Sequence, residues 1–232
     1  MAGNDITIHS PDGDFTGYLA KPGSGGGPGV VVIQEIFGVN QVMRQLTDMY
    51  AAAGYVALCP DLFWRQEPGI QITDQSEAEW QRAFELYQGF SVDKGIEDID
   101  ATIAALKKVE GCGGKVGSTG YCLGGLLAYL AGCRTGAAAS VGYYGVGIER
   151  HLGEAANIQG AVMLHIAEED KFVPKEAQAT IRDGLIGNDR VIIHSYPGMD
   201  HAFCRYGGEH YDAAAAEQAN QRTLAFFNQH LK

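Results

Sequence analysis

The sequence has little positive charge for its length. Of its 232 residues, 17 are Lys or Arg and 28 are Asp or Glu, which gives a formal net charge of -11. No cluster of Lys and Arg stands out, and this argues against a nucleic-acid partner, because binding to a phosphate backbone depends on such clusters. No apolar run approaches the roughly 18 residues that a membrane-spanning helix needs. We therefore expect neither nucleic acid nor a membrane as a partner.

Paired cysteines and metal-binding motifs are also lacking. The five cysteines are odd in number and scattered, and no Cys-x-x-Cys or Cys/His spacing suggests a zinc site. We expect no metal, no cofactor and no disulfide framework, and a reducing cytoplasm is the natural location for such a chain. These cysteines are Cys59, Cys112, Cys122, Cys133 and Cys204.

Apolar strands alternate with amphipathic helices along the chain, and this alternation predicts βαβ units. A turn at residues 11–14 separates two short apolar runs and predicts a hairpin. The expected fold is α/β: one domain over residues 1–232, with a mostly parallel sheet of about seven to eight strands and helices on both faces. Strands are predicted at 29–34, 55–59, 115–119, 137–144, 160–166 and 190–196, and helices at 41–53, 76–90, 93–109, 126–131, 174–186 and 212–230.

The sequence Gly-Tyr-Cys-Leu-Gly-Gly at residues 120–125 follows a predicted strand and begins a predicted helix. This is the arrangement of a nucleophile elbow, G-x-S-x-G, with Cys122 in the place of the serine. The backbone N–H of Leu123 would then point at the reacting carbonyl, and the helix N-terminus favours a thiolate and an oxyanion. The alternative is a glycine-rich turn that happens to hold a buried cysteine.

Potential partners of Cys122 follow other predicted strands. In a parallel sheet, functional residues collect at the carboxyl ends of the strands, and these ends contain Glu35, Cys122, Asp170 and His201. The order nucleophile, acid, histidine is that of an α/β-hydrolase. His201 would take the thiol proton, and Asp170 would fix the tautomer of the imidazole. Three nearby carboxylates compete for the role of the acid: Glu168, Glu169 and Asp200.

Five motifs carry a resemblance to a known family. They are Gln-Glu-Ile-Phe-Gly-Val-Asn at 34–40, Cys-Pro-Asp-Leu at 59–62, the elbow at 120–125, Val-Gly-Tyr-Tyr-Gly-Val-Gly at 141–147 and Gly-Met-Asp-His-Ala-Phe at 198–203. Over essentially its whole length the chain resembles a dienelactone hydrolase, a carboxymethylenebutenolidase of the α/β-hydrolase fold.

The resemblance implies roles for individual residues. Cys122, Asp170 and His201 become a catalytic triad, and Glu35 becomes an extra carboxylate that holds the resting cysteine and helps to activate it when substrate arrives. Without the resemblance, Glu35 would be equally plausible as a residue on the oxyanion side or as a charge at a helix N-terminus. The oxyanion hole would consist of the backbone N–H groups of Leu123 and Ile36.

Substrate recognition is where this chain departs from the family. The family's lactone carries a carboxylate that two arginines bind, and Arg205 matches one of them. Trp80 occupies the matching place of the other, and Arg82 lies about half a turn further along the helix, where it would point elsewhere. An indole does not replace a bidentate arginine. Aromatic side chains would line the pocket: Phe37, Tyr87, Tyr143 and Phe203.

The sequence therefore predicts a monomeric, cofactor-free cytoplasmic hydrolase. It would open a small unsaturated lactone of the dienelactone type, giving a maleylacetate-like product, through an acyl-enzyme on Cys122. One alternative is a broader carboxylesterase or thioesterase on the same scaffold, with Trp80 marking a changed pocket. Another is a protein without catalytic activity that binds a ligand or senses thiol oxidation through Cys122.

Overall fold

The chain folds into two units, residues 1–117 and 118–232, in a computed structural model that describes residues 3–232. Each unit contains strands and helices in alternation, as the sequence predicts. The expectation of one domain over residues 1–232 remains a prediction.

The strands of the first unit begin with a hairpin and continue with a buried parallel pair. β1 (Asn4–Ser10) and β2 (Gly13–Ala20) run antiparallel, which confirms the predicted hairpin. β4 (Val56–Pro60) pairs antiparallel with β2 and parallel with β3 (Gly27–Ile33). Every residue of β4 is buried. This burial explains why the strand is apolar throughout instead of alternating.

The helices of the first unit begin at side-chain caps. The side chain of Asn40 accepts a hydrogen bond from the backbone N–H of Met43, and Ser76 caps the next helix by accepting the N–H of Glu79. The third helix starts one residue before the predicted range 93–109, because Ser91 is its cap. The three helices are α1 (Gln41–Ala52), α2 (Glu77–Gln88) and α3 (Val92–Leu106).

The strands of the second unit are parallel neighbours. β5 (Cys112–Tyr121) begins in the first unit and ends in the second, where it pairs with β6 (Ala139–Tyr143). β6 pairs in turn with β7 (Ala161–Ala167), and β7 pairs with β8 (Val191–Tyr196). The strand order is β1-β2-β4-β3-β5 in the first unit and β5-β6-β7-β8 in the second. The eight strands confirm the predicted mostly parallel α/β sheet.

The helices of the second unit differ in how deeply they are buried. α4 (Leu123–Arg134) is buried on every side up to Cys133, as expected of a helix that is apolar all round. α5 (Lys175–Leu185) buries only one stripe, and α6 (Ala213–Leu231) begins at Asp212, whose carboxylate accepts the backbone N–H of Ala215. No helix within residues 3–232 is long and apolar enough to cross a bilayer.

Candidate active site

Cys122 lies in a strained turn between β5 and α4. Its φ of 57° and ψ of -115° belong to a conformation that costs a non-glycine residue about 1–3 kcal/mol. A backbone hydrogen bond of 3.1 Å from the N–H of Cys122 to the carbonyl of Tyr143 helps to hold the turn. Since α4 begins at Leu123, its first N–H groups have no carbonyl partner inside the helix. The thiol therefore lies beside backbone donors at a helix N-terminus.

Glycines permit this turn to approach β6 closely. A Cβ atom on Gly125 would lie 2.4 Å from the carbonyl oxygen of Tyr143, and one on Gly142 would lie 2.7 Å from the carbonyl oxygen of Gly125. Both distances are too short for any side chain, and both involve backbone atoms that cannot rotate away. The position of Cys122 above β6 thus depends on residues without a Cβ.

His201 and Asp170 form a buried hydrogen-bonded pair. Their side chains are 5% and 1% exposed, and the distance from Nδ1 of His201 to Oδ2 of Asp170 is 2.8 Å. The other carboxylate oxygen, Oδ1, accepts the backbone N–H groups of Phe172 at 2.8 Å and Val173 at 3.2 Å. With both oxygens occupied, the carboxylate has one orientation, and it fixes the Nδ1–H tautomer of the imidazole.

The remaining ring nitrogen of His201 is available to Cys122, and the charge balance of the site favours a protonated ring. Burial is the largest influence on His201 and disfavours the charged form. The charge of the Cys122 sulfur, the hydrogen bond that His201 donates to the carboxylate of Asp170 and a hydrogen bond between His201 and Cys122 together outweigh burial. The pKa of His201 therefore rises to about 10. The arrangement therefore favours a charged imidazole next to the sulfur of Cys122.

The structure distinguishes Asp170 from the carboxylates that compete with it in sequence. Glu169 extends outward and pairs with Lys175 at 2.9 Å. Asp200 accepts the backbone N–H of His201 at 2.7 Å, so it contacts the main chain of that residue. Of Glu169, Asp200 and Asp170, Asp170 is the one whose carboxylate accepts a hydrogen bond from the imidazole of His201.

The loops that carry the acid and the histidine are joined through their backbones. The N–H of Glu168 donates to the carbonyl of Tyr196 at 3.1 Å, and the N–H of Glu169 donates to the carbonyl of Met199 at 2.8 Å. These two bonds continue the parallel pairing of β7 and β8 beyond the strand ends. The distance between Asp170 and His201 is thereby set by backbone pairing as well as by their own side chains.

Two aromatic rings contact the imidazole. Tyr144, whose φ of 38° is unusual for a tyrosine, has its ring centroid 5.0 Å from that of His201 in an edge-to-face arrangement. Phe172 makes a similar contact at 4.8 Å, and it is 48% exposed. The imidazole is thus shielded by one buried and one exposed aromatic side chain.

Two residues of the predicted pocket wall, Tyr143 and Phe203, are fully buried in the second unit. Both residues are 0% exposed. The hydroxyl of Tyr143 lies 2.6 Å from Oγ1 of Thr223 and 3.0 Å from Oδ1 of Asn220, on α6, so its side chain packs against that helix. Phe203 packs against the ring of Tyr144, with centroids 5.6 Å apart.

Tyr144 was missed by sequence reasoning, although a signal for it existed. Neighbouring residues at the end of a strand point to opposite faces of the sheet. A Tyr-Tyr pair at the end of β6 therefore places one ring on each face of the sheet. Which of the two rings lies near His201 depends on where the strand ends. β6 ends at Tyr143, and Tyr144 is the ring that reaches His201.

The first unit contains the predicted Glu35 and Ile36, directly beyond β3. They are 3% and 5% exposed. The adjacent Gln34 ties this segment to the chain after β4, because its Oε1 accepts the backbone N–H of Leu62 at 3.0 Å. The side-chain amide of Gln34 also donates to the carbonyl of Glu35 at 3.3 Å. The segment is thus held in place through Gln34.

Trp80 belongs to an aromatic cluster in the same unit. Its ring lies 5.0 Å from that of Phe37, edge to face, and 5.5 Å from that of Phe84, in a stacked arrangement. The indole N–H donates to the carbonyl of Asp74 at 3.0 Å. Phe37 is buried, and Phe84 is 39% exposed. The cluster therefore extends from the core to the surface.

The remaining predicted binding residues lie in different settings. Arg82 forms ion pairs with Glu67 at 2.6 Å and Glu85 at 2.7 Å on the surface of the first unit. Tyr87, in the same helix, is 37% exposed. In the second unit Arg205 is buried, with 8% exposure, four residues after His201. Arg82 is thus engaged by two carboxylates, as the direction of the helix suggests.

Residues 3–232 contain no group of three or more His, Cys, Asp or Glu side chains arranged to hold a metal ion. All five cysteines are free thiols. The chemistry that this arrangement can perform is nucleophilic attack by sulfur, with the imidazole as proton acceptor and donor.

Comparison with known proteins connects this geometry to a family. A model of the dienelactone hydrolase family matches residues 15–231. Carboxymethylenebutenolidase of Pseudomonas putida is 37% identical over 227 residues, which cover 97% of this chain and 96% of that protein. A protein of Azospirillum brasilense, named as an inferred carboxymethylenebutenolidase, is 50% identical over 230 residues, which cover 98% of this chain and 99% of its own.

Solved structures show the same likeness. The crystal structure of an inferred dienelactone hydrolase from Klebsiella pneumoniae subsp. pneumoniae has a TM-score of 0.88 and 26% sequence identity. The match covers 98% of this chain and 98% of that one.

Proposed function

The chain belongs to the dienelactone hydrolase family, and from this premise we propose that it opens small unsaturated lactones with Cys122 as its nucleophile. The observation that carries the proposal is the linked set of Asp170, His201 and Cys122, in which a carboxylate orients the imidazole and the imidazole is charged next to the sulfur. This is the arrangement that an activated cysteine requires.

The first half of the reaction forms an acyl-enzyme. His201 holds the proton of Cys122, and the thiolate attacks the lactone carbonyl, whose π electrons move to the oxygen. When that oxyanion collapses, the ring C–O bond breaks, and the ring oxygen leaves with its electron pair and takes the proton from His201. The acyl chain is then held on sulfur as a thioester, and the former ring oxygen remains attached to it as a hydroxyl or enol.

The second half regenerates the enzyme. Water attacks the thioester while His201 accepts one of its protons, and the sulfur leaves as a thiolate. The oxyanion that forms in each half needs hydrogen-bond donors. The backbone N–H of Leu123 suits this role, because it lies in the first turn of α4 and has no carbonyl partner inside the helix.

Further roles are proposed from the sequence motifs of the family. Ile36 supplies a second oxyanion donor, and Glu35 restrains the resting thiol until substrate binds. Arg205 binds the carboxylate of the substrate. The buried position of Arg205 supports this last role, since an arginine in a low-dielectric setting binds a carboxylate more strongly than an exposed one does.

The aromatic cluster around Trp80 favours a second candidate, a broader carboxylesterase or thioesterase. Where the family places a second arginine, this chain has an indole stacked on Phe84 and in edge contact with Phe37. Such a surface suits an apolar or aromatic group and provides no charge for a carboxylate. The preferred substrate would then be less anionic than dienelactone.

Spectrophotometric hydrolysis of cis- and trans-dienelactone, with an aryl acetate as comparison, tests both candidates. We expect dienelactone turnover by the wild type, none by Cys122→Ala, and wild-type rates for Cys112→Ala, the matched loss of a thiol elsewhere. Turnover of the aryl ester alone would support the second candidate, and Trp80→Arg is then the variant expected to restore dienelactone binding. Undiminished turnover in Cys122→Ala would reject the nucleophile.

We also propose that the enzyme acts as a monomer in the cytoplasm, on small molecules. The free state of all five cysteines agrees with a reducing compartment. Light scattering coupled to size-exclusion chromatography would test the oligomeric state directly, and a mass of about twice that of one chain would contradict it.

A further inference from the structure

One side chain on α5 connects both ends of the loop that carries the catalytic acid. The acid loop, residues 167–173, runs from the end of β7 to the start of α5. The side-chain nitrogen Nε2 of Gln178 donates to three backbone carbonyls, those of Ala167 at 3.2 Å, Glu168 at 3.1 Å and Val173 at 2.8 Å. Two of these carbonyls precede Asp170 and one follows it. A single amide group therefore sets the width of the acid loop.

The other polar groups of the acid loop have separate partners. The backbone N–H groups of Glu168 and Glu169 pair with the carbonyls of Tyr196, at the end of β8, and Met199, and those of Phe172 and Val173 pair with Oδ1 of Asp170. The first two N–H groups thus fix the distance between the acid loop and the loop of His201, and the last two fix the turn around Asp170. The carbonyls at its two ends receive their donor from Gln178.

The position of Gln178 in its helix is one where an apolar residue would ordinarily lie. α5 buries three residues along one stripe, Gln178, Ile181 and Leu185, and Gln178 is 1% exposed. A leucine or methionine would fill this place without the need for hydrogen bonds. Within residues 3–232, Oε1 of Gln178 has no hydrogen-bond partner, which is unfavourable for a buried oxygen. The three hydrogen bonds to the acid loop offset this unfavourable burial.

We propose that Gln178 is a positioning residue that holds the acid loop so that the carboxylate of Asp170 meets Nδ1 of His201. The proposal rests on the proposed function, because it assigns Gln178 a role in the alignment of the acid and the base of that reaction. Without Gln178 the loop could widen, and a shift of the carboxylate by a fraction of an ångström weakens the 2.8 Å bond that orients the imidazole. Misplacement on this scale lowers turnover without removing any reacting group.

The test compares Gln178→Met with Gln221→Met. Methionine nearly preserves the volume of glutamine and removes the donor, and Gln221 is an exposed residue of α6 that undergoes the same chemical change. We expect kcat of Gln178→Met to fall on the order of 10-fold with KM changed less than about twofold, because alignment is lost and substrate contacts are kept. We expect wild-type values for Gln221→Met.

A spectroscopic measurement separates positioning from stability. The Nδ1 proton of His201, shared with Asp170, should give a low-field resonance in the ¹H NMR spectrum. We expect this resonance to shift upfield or to broaden by exchange in folded Gln178→Met, and to remain unchanged in Gln221→Met. This arm needs no turnover. If the wild type hydrolyses no lactone or ester, the proposed function fails, and the resonance still tests the positioning role.

A third variant covers failure of the methionine variant to fold. Lysine carries N–H donors, so in a folded Gln178→Lys variant we expect the resonance to be kept and most of kcat to be recovered. A folded Gln178→Met with wild-type kcat and an unchanged resonance would overturn the proposal. Failure of both variants to fold would also overturn it, because the role of Gln178 would then be one of stability.

Discussion

The two ends of the proposed triad are held in place by different means. At the nucleophile, the backbone is strained, with Cys122 at a φ of 57°, and glycines allow main-chain atoms to approach each other. At the acid and the base, the alignment comes from hydrogen bonds between separate loops, including those of Asp170 and Gln178. The strained turn at the nucleophile lies within a few consecutive residues, whereas the pairing of Asp170 with His201 spans more than thirty residues. The difference determines which end can be predicted and how each end should fail.

The largest effect is expected at the nucleophile end. There, Cys122→Gly should lose activity and be more stable than Cys122→Ala. Cys122→Gly removes the thiol and supplies a residue that tolerates positive φ. We expect turnover to fall at least about 1,000-fold, as when a nucleophile is removed from other hydrolases. We also expect the free energy of unfolding of Cys122→Gly to be about 1 kcal/mol higher than that of Cys122→Ala, because glycine relieves the backbone strain.

Turnover assays and urea denaturation of both variants provide the measurement. The alanine variant is the matched control, since it loses the same thiol and keeps the strain. Equal stability of the two variants would show that the turn is not strained at Cys122.

The acid–base end is expected to show a smaller loss of activity with a characteristic dependence on pH. Asp170→Asn keeps the shape of the side chain and removes its charge, and we expect turnover to fall on the order of 100-fold to 10,000-fold. Because the hydrogen bond that His201 donates to Asp170 helps to raise the pKa of His201, that pKa should fall in the variant. Titration of the ring by NMR would measure the change, and an unaltered pKa would show that Asp170 does not support the imidazolium.

The same pKa shift predicts how stability depends on pH. The pKa of His201 is raised to about 10 in the folded protein, from an ordinary value near 6.5. Such a group contributes stability that is fully present below about pH 6.5 and is lost as pH rises toward 10. The difference in unfolding free energy between the wild type and His201→Gln should therefore shrink across this range. A difference that grows with pH would have the wrong sign and would contradict the charged imidazole.

This contrast explains what the sequence could predict. Gly120 to Gly125 encodes the nucleophile turn within six residues, so its strand, turn and helix could be recognised together. The identity of the histidine followed from its place beyond β8. The acid was harder to predict, because Glu168, Glu169 and Asp200 are all near it, and the structure favours Asp170 through the hydrogen bond that it accepts from the imidazole.

Other features could not be predicted, because they depend on contacts between distant elements. Nothing in the local sequence of α5 shows that Gln178 bonds to three carbonyls, since periodicity alone marks the position as part of the buried stripe. The choice between Tyr143 and Tyr144 depended on where β6 ends, and strand ends are the least predictable part of an element. β5 likewise extends further in both directions than the apolar run at 115–119 suggests.

The close approach between Gly142 and the carbonyl of Gly125 can be disrupted by a substitution that leaves every reacting group in place. Gly142→Ala places a methyl group 2.7 Å from a backbone carbonyl, and we expect a loss of about 2–3 kcal/mol in the free energy of unfolding. Gly136→Ala is the matched control, because a Cβ there meets no atom within 4 Å. Chemical denaturation measures both, and equal stability of the two variants would show that the turn can move away from β6.

The smallest expected effect concerns the hydroxyl of Tyr143, which links β6 to α6. Tyr143→Phe removes its hydrogen bonds to Thr223 and Asn220 but leaves the ring in place, so we expect a loss of about 1 kcal/mol in stability. We expect turnover to stay within about twofold, because the hydroxyl is buried and bonded to α6. Tyr206→Phe, at a residue that is 67% exposed, serves as the control and should change neither quantity. A large loss of turnover with unchanged stability would return Tyr143 to the substrate pocket and contradict the position that the structure gives it.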